Sequence, residues 1–156
     1  MKEIILSDGS KTQVSDVDFE SLSRHKWYLK KGYAVRNIGS RGKQKTIFMH
    51  RVIMSNPAGM SVDHKDQNPL NNQRSNLRIC TVQQNNQNRR KYLQGSSKYK
   101  GVSWHKTEGK WQAQIRVNSK AKHLGLFKNE IDAAIAYNKI AKETQGEFAC
   151  LNEVSA

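Results

Sequence analysis

A chain of 156 residues with 27 Lys and Arg against 13 Asp and Glu carries a formal net charge of +14, and only 36% of it is hydrophobic. That length suits one ordinary domain or two small ones. No apolar run approaches the roughly 18 residues of a membrane span, and no apolar stretch follows Met1-Lys2-Glu3, so the expectation is neither a membrane protein nor a secreted precursor but a cytoplasmic one. Cys80 and Cys150 form no C-x-x-C pair, which removes the common zinc knuckle. Excess Lys and Arg gain affinity for phosphates by releasing counterions, so the charge points to nucleic acid.

In chain order, residues 2–6 and 11–14 read as short strands around the turn Asp8-Gly9-Ser10. Residues 16–24 read as a short helix, with Asp16 and Asp18 in its first turn where the helix dipole favours acids. Trp27-Tyr28-Leu29 and Tyr33-Ala34-Val35 suggest a hairpin across Lys30-Lys31-Gly32. Thr46 to Met54 is the most hydrophobic stretch, and periodicity leaves strand and helix both open. Asn56-Pro57-Ala58-Gly59 ends it.

Residues 61–64 then read as a strand end, 67–72 as a polar loop and 76–80 as a second strand. Thr81 opens a helix, with Gln84 at capping-box spacing. Gly95-Ser96-Ser97 interrupts the pattern and marks a boundary. Three alternating segments follow, at 99–105, 111–117 and 122–127, with turns at Glu108-Gly109 and Asn118-Ser119. An amphipathic helix over 130–145 has Asn129 as N-cap and Gly146 as stop.

The charge is uneven. Residues 1–78 carry net +7, residues 79–129 carry net +10 with Glu108 their only acid, and residues 130–156 carry net -3. In the middle third Arg89, Arg90, Lys91, Lys98, Lys100, Lys106 and Lys110 alternate with Tyr92, Tyr99, Trp104 and Trp111. Cations interleaved with aromatics suit a surface that tracks a nucleic-acid backbone.

Met49-His50-Arg51, Val62-Asp63-His64-Lys65-Asp66, Asn68-Pro69-Leu70-Asn71-Asn72, Ser75-Asn76-Leu77-Arg78 and Gln84-Asn85-x-x-Asn88 follow one another over about 40 residues. In that order they resemble the HNH nucleases, in the branch of phage and intron-encoded homing endonucleases. Asp16-Val17-Asp18-Phe19 and His25-Lys26-Trp27 also look like the leader those phage enzymes carry. The resemblance implies a two-stranded hairpin backed by a helix around one divalent metal, Mg²⁺ or Mn²⁺.

The residue types suit phosphodiester hydrolysis, which needs a water nucleophile, a base and positive charge near the leaving oxygen. His64 is the candidate base, since neutral imidazole accepts a proton near pH 7. Asp63 and Asn85 offer oxygens to a hard cation, and Asn86 and Asn88 stand close enough in sequence to leave the third ligand open. By resemblance, Asn76 would orient His64 through a hydrogen bond. Arg78 would pair with a phosphate. Asp63 and His64 are neighbours, which in a regular strand face opposite ways, so the site requires a strand end or kink. His50 has two open readings, a second site residue or a packed histidine at a core edge. Asn71 and Asn72 read most simply as loop formers, with contact to the site as the lesser alternative, and Cys80 as a buried small hydrophobe.

Tyr99-Lys100-Gly101-Val102, Gly109-Lys110-Trp111-x-Ala113-x-Ile115-Arg116, Leu124-Gly125-x-Phe127 and Ala133-Ala134-x-Ala136-Tyr137 resemble the AP2/ERF DNA-binding domain. That family lays a three-stranded sheet in the major groove, so the resemblance turns Lys100, Trp104, Lys110, Trp111 and Arg116 towards DNA, while Trp111 has a core position as its alternative. Ser103 stands where plant members commonly have arginine, so a target sequence does not transfer.

The expected fold class is α+β: an HNH module of the ββα-metal type over 1–92 with a β-rich leader, a linker at 93–97, and a three-stranded antiparallel sheet with one helix over 98–150. The expected function is a metal-dependent homing endonuclease acting on double-stranded DNA, cutting one strand per active site, as a monomer or a DNA-induced dimer. The competing expectation is a non-catalytic, sequence-specific DNA-binding regulator.

Overall fold

The computed structural model describes residues 1–40, 42–55, 57–91 and 95–154. Asn56 of the expected turn, Tyr92, and the first two residues of the expected linker lie outside the described residues. The chain is mixed α+β and divides into two compact units, Met1–Asn85 and Asn86–Ala156. Among the described residues no helix is long and apolar enough to cross a membrane.

The front unit begins with the antiparallel pair β1 (Lys2–Ile5) and β2 (Lys11–Val14), registered Lys2 to Val14 and Ile5 to Lys11. Helix α1 (Asp16–Ser23) follows with both acids in its first turn. Strands β3 (Tyr28–Lys30), β4 (Tyr33–Ile38) and β5 (Lys45–Phe48) form an antiparallel meander. Lys31 and Gly32 both hold positive φ, which makes the tight β3–β4 turn. The apolar stretch left open by periodicity is both structures in series: β5 ends at Phe48 and helix α2 runs Met49–Ile53. Its strand half pairs with β4, and its helix half drops Met49 and Ile53 into the core.

That core also gathers Ile4, Leu6, Val14, Leu22, Trp27, Ala34, Val62 and Leu77. Trp27 anchors it, 1% exposed, with its indole N–H donated to the Leu22 carbonyl at 2.8 Å. The burial brings together residues from the leader, the meander and the motif region, so the leader is part of the front unit's core.

Strands β6 (Ser61–His64) and β8 (Leu77–Cys80) pair antiparallel, Asp63 opposite Arg78 and His64 opposite Leu77. The connection between them was expected to be pure loop, but Asn71–Asn72 forms a short strand, β7, parallel to β2. Arg74 pins its far end, with its guanidinium bidentate on Asp18 at 2.8 and 2.7 Å. Helix α3 (Val82–Asn88) opens on the expected capping box: the Thr81 N–H bonds Gln84 Oε1 at 2.8 Å and the Gln84 N–H bonds Thr81 Oγ1 at 3.2 Å.

The rear unit is an antiparallel sheet of β9 (Val102–His105), β10 (Lys110–Val117) and β11 (Lys120–Phe127), with β10 central, covered by helix α4 (Glu130–Gln145). Asn118 and Ser119 both take positive φ in the β10–β11 turn. Val102, Ala113, Ala133 and Ala134 form the sheet–helix core, whose small side chains allow close approach. Asn152 exchanges hydrogen bonds with Asn138 of α4 and with the Lys100 backbone, fastening the end of the described chain to α4 and to the turn that leads into β9.

Candidate nuclease centre and nucleic-acid surface

Strand β6 ends at His64, and both of its last side chains are enclosed. Asp63 is 5% exposed and His64 6%. Asp63 faces its ladder partner Arg78, whose Nε and Nη2 reach Asp63 Oδ2 at 2.9 and 2.7 Å. His64 sits with Tyr33, at 6.1 Å between ring centroids, and with His50, at 5.1 Å and edge-on. Phe48 and Tyr33 in turn stack on His50 at 5.5 and 5.4 Å.

Burial dominates the electrostatics. It pushes His64 below the ordinary histidine value, opposed by its hydrogen bond to Asn72 and by the charges of Asp66 and Asp63. Burial pushes His50 further, down to about 3, with Arg51 and, once protonated, His64 acting the same way. Both rings are therefore neutral at pH 7. Asp66 is raised by burial, but hydrogen bonds from the Asn68 backbone, Asn71 and Asn76 leave it below the usual carboxylate range.

The hydrogen bond expected from Asn76 is made by Asn72 instead. Asn72 Oδ1 lies 3.1 Å from His64 Nε2. Asn76 donates to Asp66 Oδ1 at 2.9 Å and to the Asn71 carbonyl at 2.8 Å, and its Oδ1 accepts from the Asp66 N–H. It closes the loop between β6 and β8. The sequence favours a loop former at Asn72 over a site contact because its partner is distant: β7 exists only by pairing with β2. Arg78 meets Asp63 within the protein, where a phosphate contact was expected. His50 is at once packed and in ring contact with His64.

Asn85 is half-buried in the middle of α3, Asn86 exposed and Asn88 buried. Among the described residues no group of three or more His, Cys, Asp and Glu side chains could hold a metal. Asp63 and Asn85, the two ligands expected from the sequence, would offer a cation hard oxygens and one formal charge. Such a set fits a cation that keeps much of its water and binds substrate phosphate, and does not suit zinc.

In the rear unit the alternation along β10 sorts the expected DNA contacts onto two faces. Ala113 and Ile115 are buried, and Trp111 packs with Tyr99, Val102 and Ala133. Trp104 pairs with Trp111 across the ladder, rings 5.1 Å apart, so both tryptophans share the register face of the helix side. Arg116, Gln114 and Gln112 alternate to the other face, and Gln112 Nε2 meets His123 Nδ1 there at 3.1 Å. Lys110 shares that parity, opposite His105. Trp111-Ala113-Ile115-Val117 against Gln112-Gln114-Arg116 is the period-two signal that separates the faces.

Two of the expected cations are spent inside the unit. Lys100 donates its ammonium to the carbonyls of Gln87 at 2.5 Å and Arg89 at 2.7 Å, and burial lowers it from the ordinary lysine value. Lys91 does the same for the Tyr99 and Val102 carbonyls, both at 3.0 Å. Arg89, Arg90, Lys98 and Arg116 are exposed, with the Lys98 ammonium 5.1 Å from the Tyr99 ring centre.

The front unit thus carries a buried Asp-His pair at a strand end, braced by Arg78 and an asparagine loop, and the rear unit a sheet with one polar face. Comparison with known proteins gives the chain's family. The family model described as HNH endonuclease matches residues 48–87. An uncharacterized HNH endonuclease of Acanthamoeba polyphaga mimivirus is 36% identical over 135 residues, covering 85% of this chain and 70% of that protein. The chain belongs to the HNH endonuclease family, whose members are nucleases acting on DNA. Protein 3.8 of Escherichia phage T7 is 29% identical over 93 residues, 60% of this chain and 76% of the phage protein. APETALA2-like protein 2 of Oryza sativa is 40% identical over 63 residues, 39% of this chain but 14% of the plant protein. No solved structure matches the chain.

Proposed function

We propose that the chain is a metal-dependent endonuclease of homing type that hydrolyses phosphodiester bonds in double-stranded DNA, with the front unit cleaving and the rear unit gripping the duplex. The observation that carries this reading is the enclosed pair at the end of β6: a neutral imidazole one residue from a carboxylate held by arginine. The antiparallel β6–β8 pair followed by α3 supports the ββα-metal arrangement.

In this reading His64 takes the proton of a water as its oxygen attacks phosphorus. The bond from phosphorus to the 3′-oxygen breaks, leaving a 5′-phosphate and a 3′-hydroxyl whose proton comes from solvent. Asp63 and Asn85 would hold Mg²⁺ or Mn²⁺, which when bound supplies positive charge to the phosphate and the leaving oxygen. Arg78 fixes the Asp63 carboxylate and adds a fixed cation beside it. One such centre per chain cuts one strand, and a DNA-induced dimer would cut both. On the rear unit, Arg116, Lys110, Gln112, Gln114 and His123 form the surface offered to the major groove, while Arg89, Arg90 and Lys98 meet phosphates.

Supercoiled-plasmid nicking in Mg²⁺ and in Mn²⁺ tests the reading, with EDTA and His64→Ala protein as controls. Nicking abolished by both supports it. Cutting that survives in His64→Ala protein overturns the assignment of the base. Binding without cutting, on the native target as well as on plasmid, overturns the nuclease in favour of the regulator.

A further inference from the structure

Deep in the front unit, polar groups link the leader to the candidate base. Thr12 and Asn72 are both 0% exposed. Thr12 Oγ1 donates to the Leu70 carbonyl at 2.8 Å, a group that can only accept. The same oxygen therefore accepts from Asn72 Nδ2 at 2.8 Å. Asn72 Nδ2 also points at the Pro69 carbonyl, 3.4 Å away. Turning the amide over would set its oxygen against the Pro69 carbonyl, two acceptors face to face, whereas the Leu70 carbonyl would keep the Gln13 N–H it accepts at 2.8 Å. The amide orientation is thus determined, and Oδ1 is the atom presented to His64 Nε2 at 3.1 Å.

An oxygen at that position can only accept. We propose that the Leu70–Thr12–Asn72 relay locks neutral His64 in the Nε2–H tautomer, so that the lone pair that takes a proton is on Nδ1. Thr12 and Asn72 are then positioning residues for the cleavage reaction. Thr12 lies on β2, well outside the matched family segment at 48–87. The leader hairpin supplies a working part of the centre as well as core residues. The assignment of cleavage to His64 rests on the nuclease reading above, but the tautomer does not.

The tautomer is read directly by ¹⁵N NMR of the full chain with labelled histidines at neutral pH, the His64 signals among the five histidines assigned by their loss in His64→Ala. The expected wild-type spectrum has Nε2 protonated and Nδ1 bare. Thr12→Val and Asn72→Ala should both move His64 towards a mixture, while Thr12→Ser, which keeps the hydroxyl, should retain the wild-type pattern. In cleavage, Thr12→Val should lower kcat by about a hundredfold with KM for DNA unchanged, and Thr12→Ser should restore it. A wild-type His64 protonated on Nδ1 overturns the proposal even if no variant folds. An unchanged tautomer in folded Thr12→Val protein overturns it too. A wild-type chain with the Nε2–H form that cuts no DNA supports the relay and overturns the nuclease reading alone.

Discussion

His50 and His64 meet edge to face with ring centroids 5.1 Å apart, inside a cluster closed by Tyr33 and Phe48. Two imidazoles so placed cannot both carry charge cheaply, and burial has already removed the solvent that would stabilise either cation. The result is a pair of rings that stays neutral, as the base proposed at His64 requires.

That neutrality makes the fold acid-sensitive. His50 is held down to about 3 in the folded chain, against an ordinary histidine value of 6.5. Below pH 6.5 the unfolded chain takes up a proton that folded His50 refuses, so its contribution is whole above 6.5 and is lost progressively as pH falls towards 3. Between pH 6.5 and 5 this costs about 2 kcal/mol. Denaturant unfolding at pH 7 and pH 5 should show a shallower loss in His50→Phe than in the wild type. Equal losses would mean that His50 does not set the acid limit.

The same burial bears on the proposed cleavage. His64 is also lowered from 6.5, so it remains an unprotonated base at pH values where a solvent-exposed histidine would be half charged. The acidic limb of kcat/KM for cleavage should therefore fall below pH 6.5. A limb at or above 6.5 would show that some other group is titrating.

Arg78 and Asp63 form a nearly enclosed ion pair, their side chains 11% and 6% exposed. Removing one partner strands the other charge, so Arg78→Met should destabilise the front unit by about 3 kcal/mol. Asp63→Asn in the same chain should recover part of that loss, because the amide does not need a cation. Urea unfolding of the two singles and the double measures it. Additive losses would deny the coupling.

Much of this was readable in advance, and the parts that were not share a cause. The strands around Asp8-Gly9-Ser10, the capping box of Thr81 and Gln84, and the stop at Gly146 are local, set by turn and cap chemistry over a few residues. Asn72 reads first as a loop former, with site contact only an alternative, because its placement depends on Thr12, far away in the chain and brought near by the parallel β2–β7 pairing. Lys100 reads as a surface cation until its stem is seen to carry the ammonium back onto the Gln87 and Arg89 carbonyls. For the tryptophans the strand alternation already separated Trp111 from Arg116, and the resemblance to DNA-binding domains drew both to one face.

Gly101 is a position where no other residue fits the rear unit. Its φ is +74°, and a Cβ there would collide with the Tyr137 ring and stand 2.6 Å from the Gln114 carbonyl oxygen. Gly101→Ala should cost the rear unit more than about 4 kcal/mol. Trimming the ring in Gly101→Ala/Tyr137→Ala should not rescue it, because the carbonyl clash is with backbone. Thermal unfolding with DNA-binding assays on both variants checks this. A folded, DNA-binding Gly101→Ala chain would require a different local backbone.

The rear sheet's outward face makes a prediction that separates shape from charge. Arg116 and Gln114 lie on the face away from α4, whereas Trp104 stacks on Trp111 on the other side. Arginine reads guanine and glutamine reads adenine through paired hydrogen bonds in the major groove. Gln114→Ala and Arg116→Ala should each weaken binding to the chosen site by about tenfold and relax preference at one base position, with binding to unrelated DNA little changed. Arg89→Ala should instead weaken binding to all sequences alike and reduce the salt dependence by about one unit of slope, as a lost phosphate contact does. Competition binding at two salt concentrations distinguishes the two patterns. If Trp104→Ala rather than Gln114→Ala changes base preference, the helix side of the sheet edge, and not its open face, is what meets the bases.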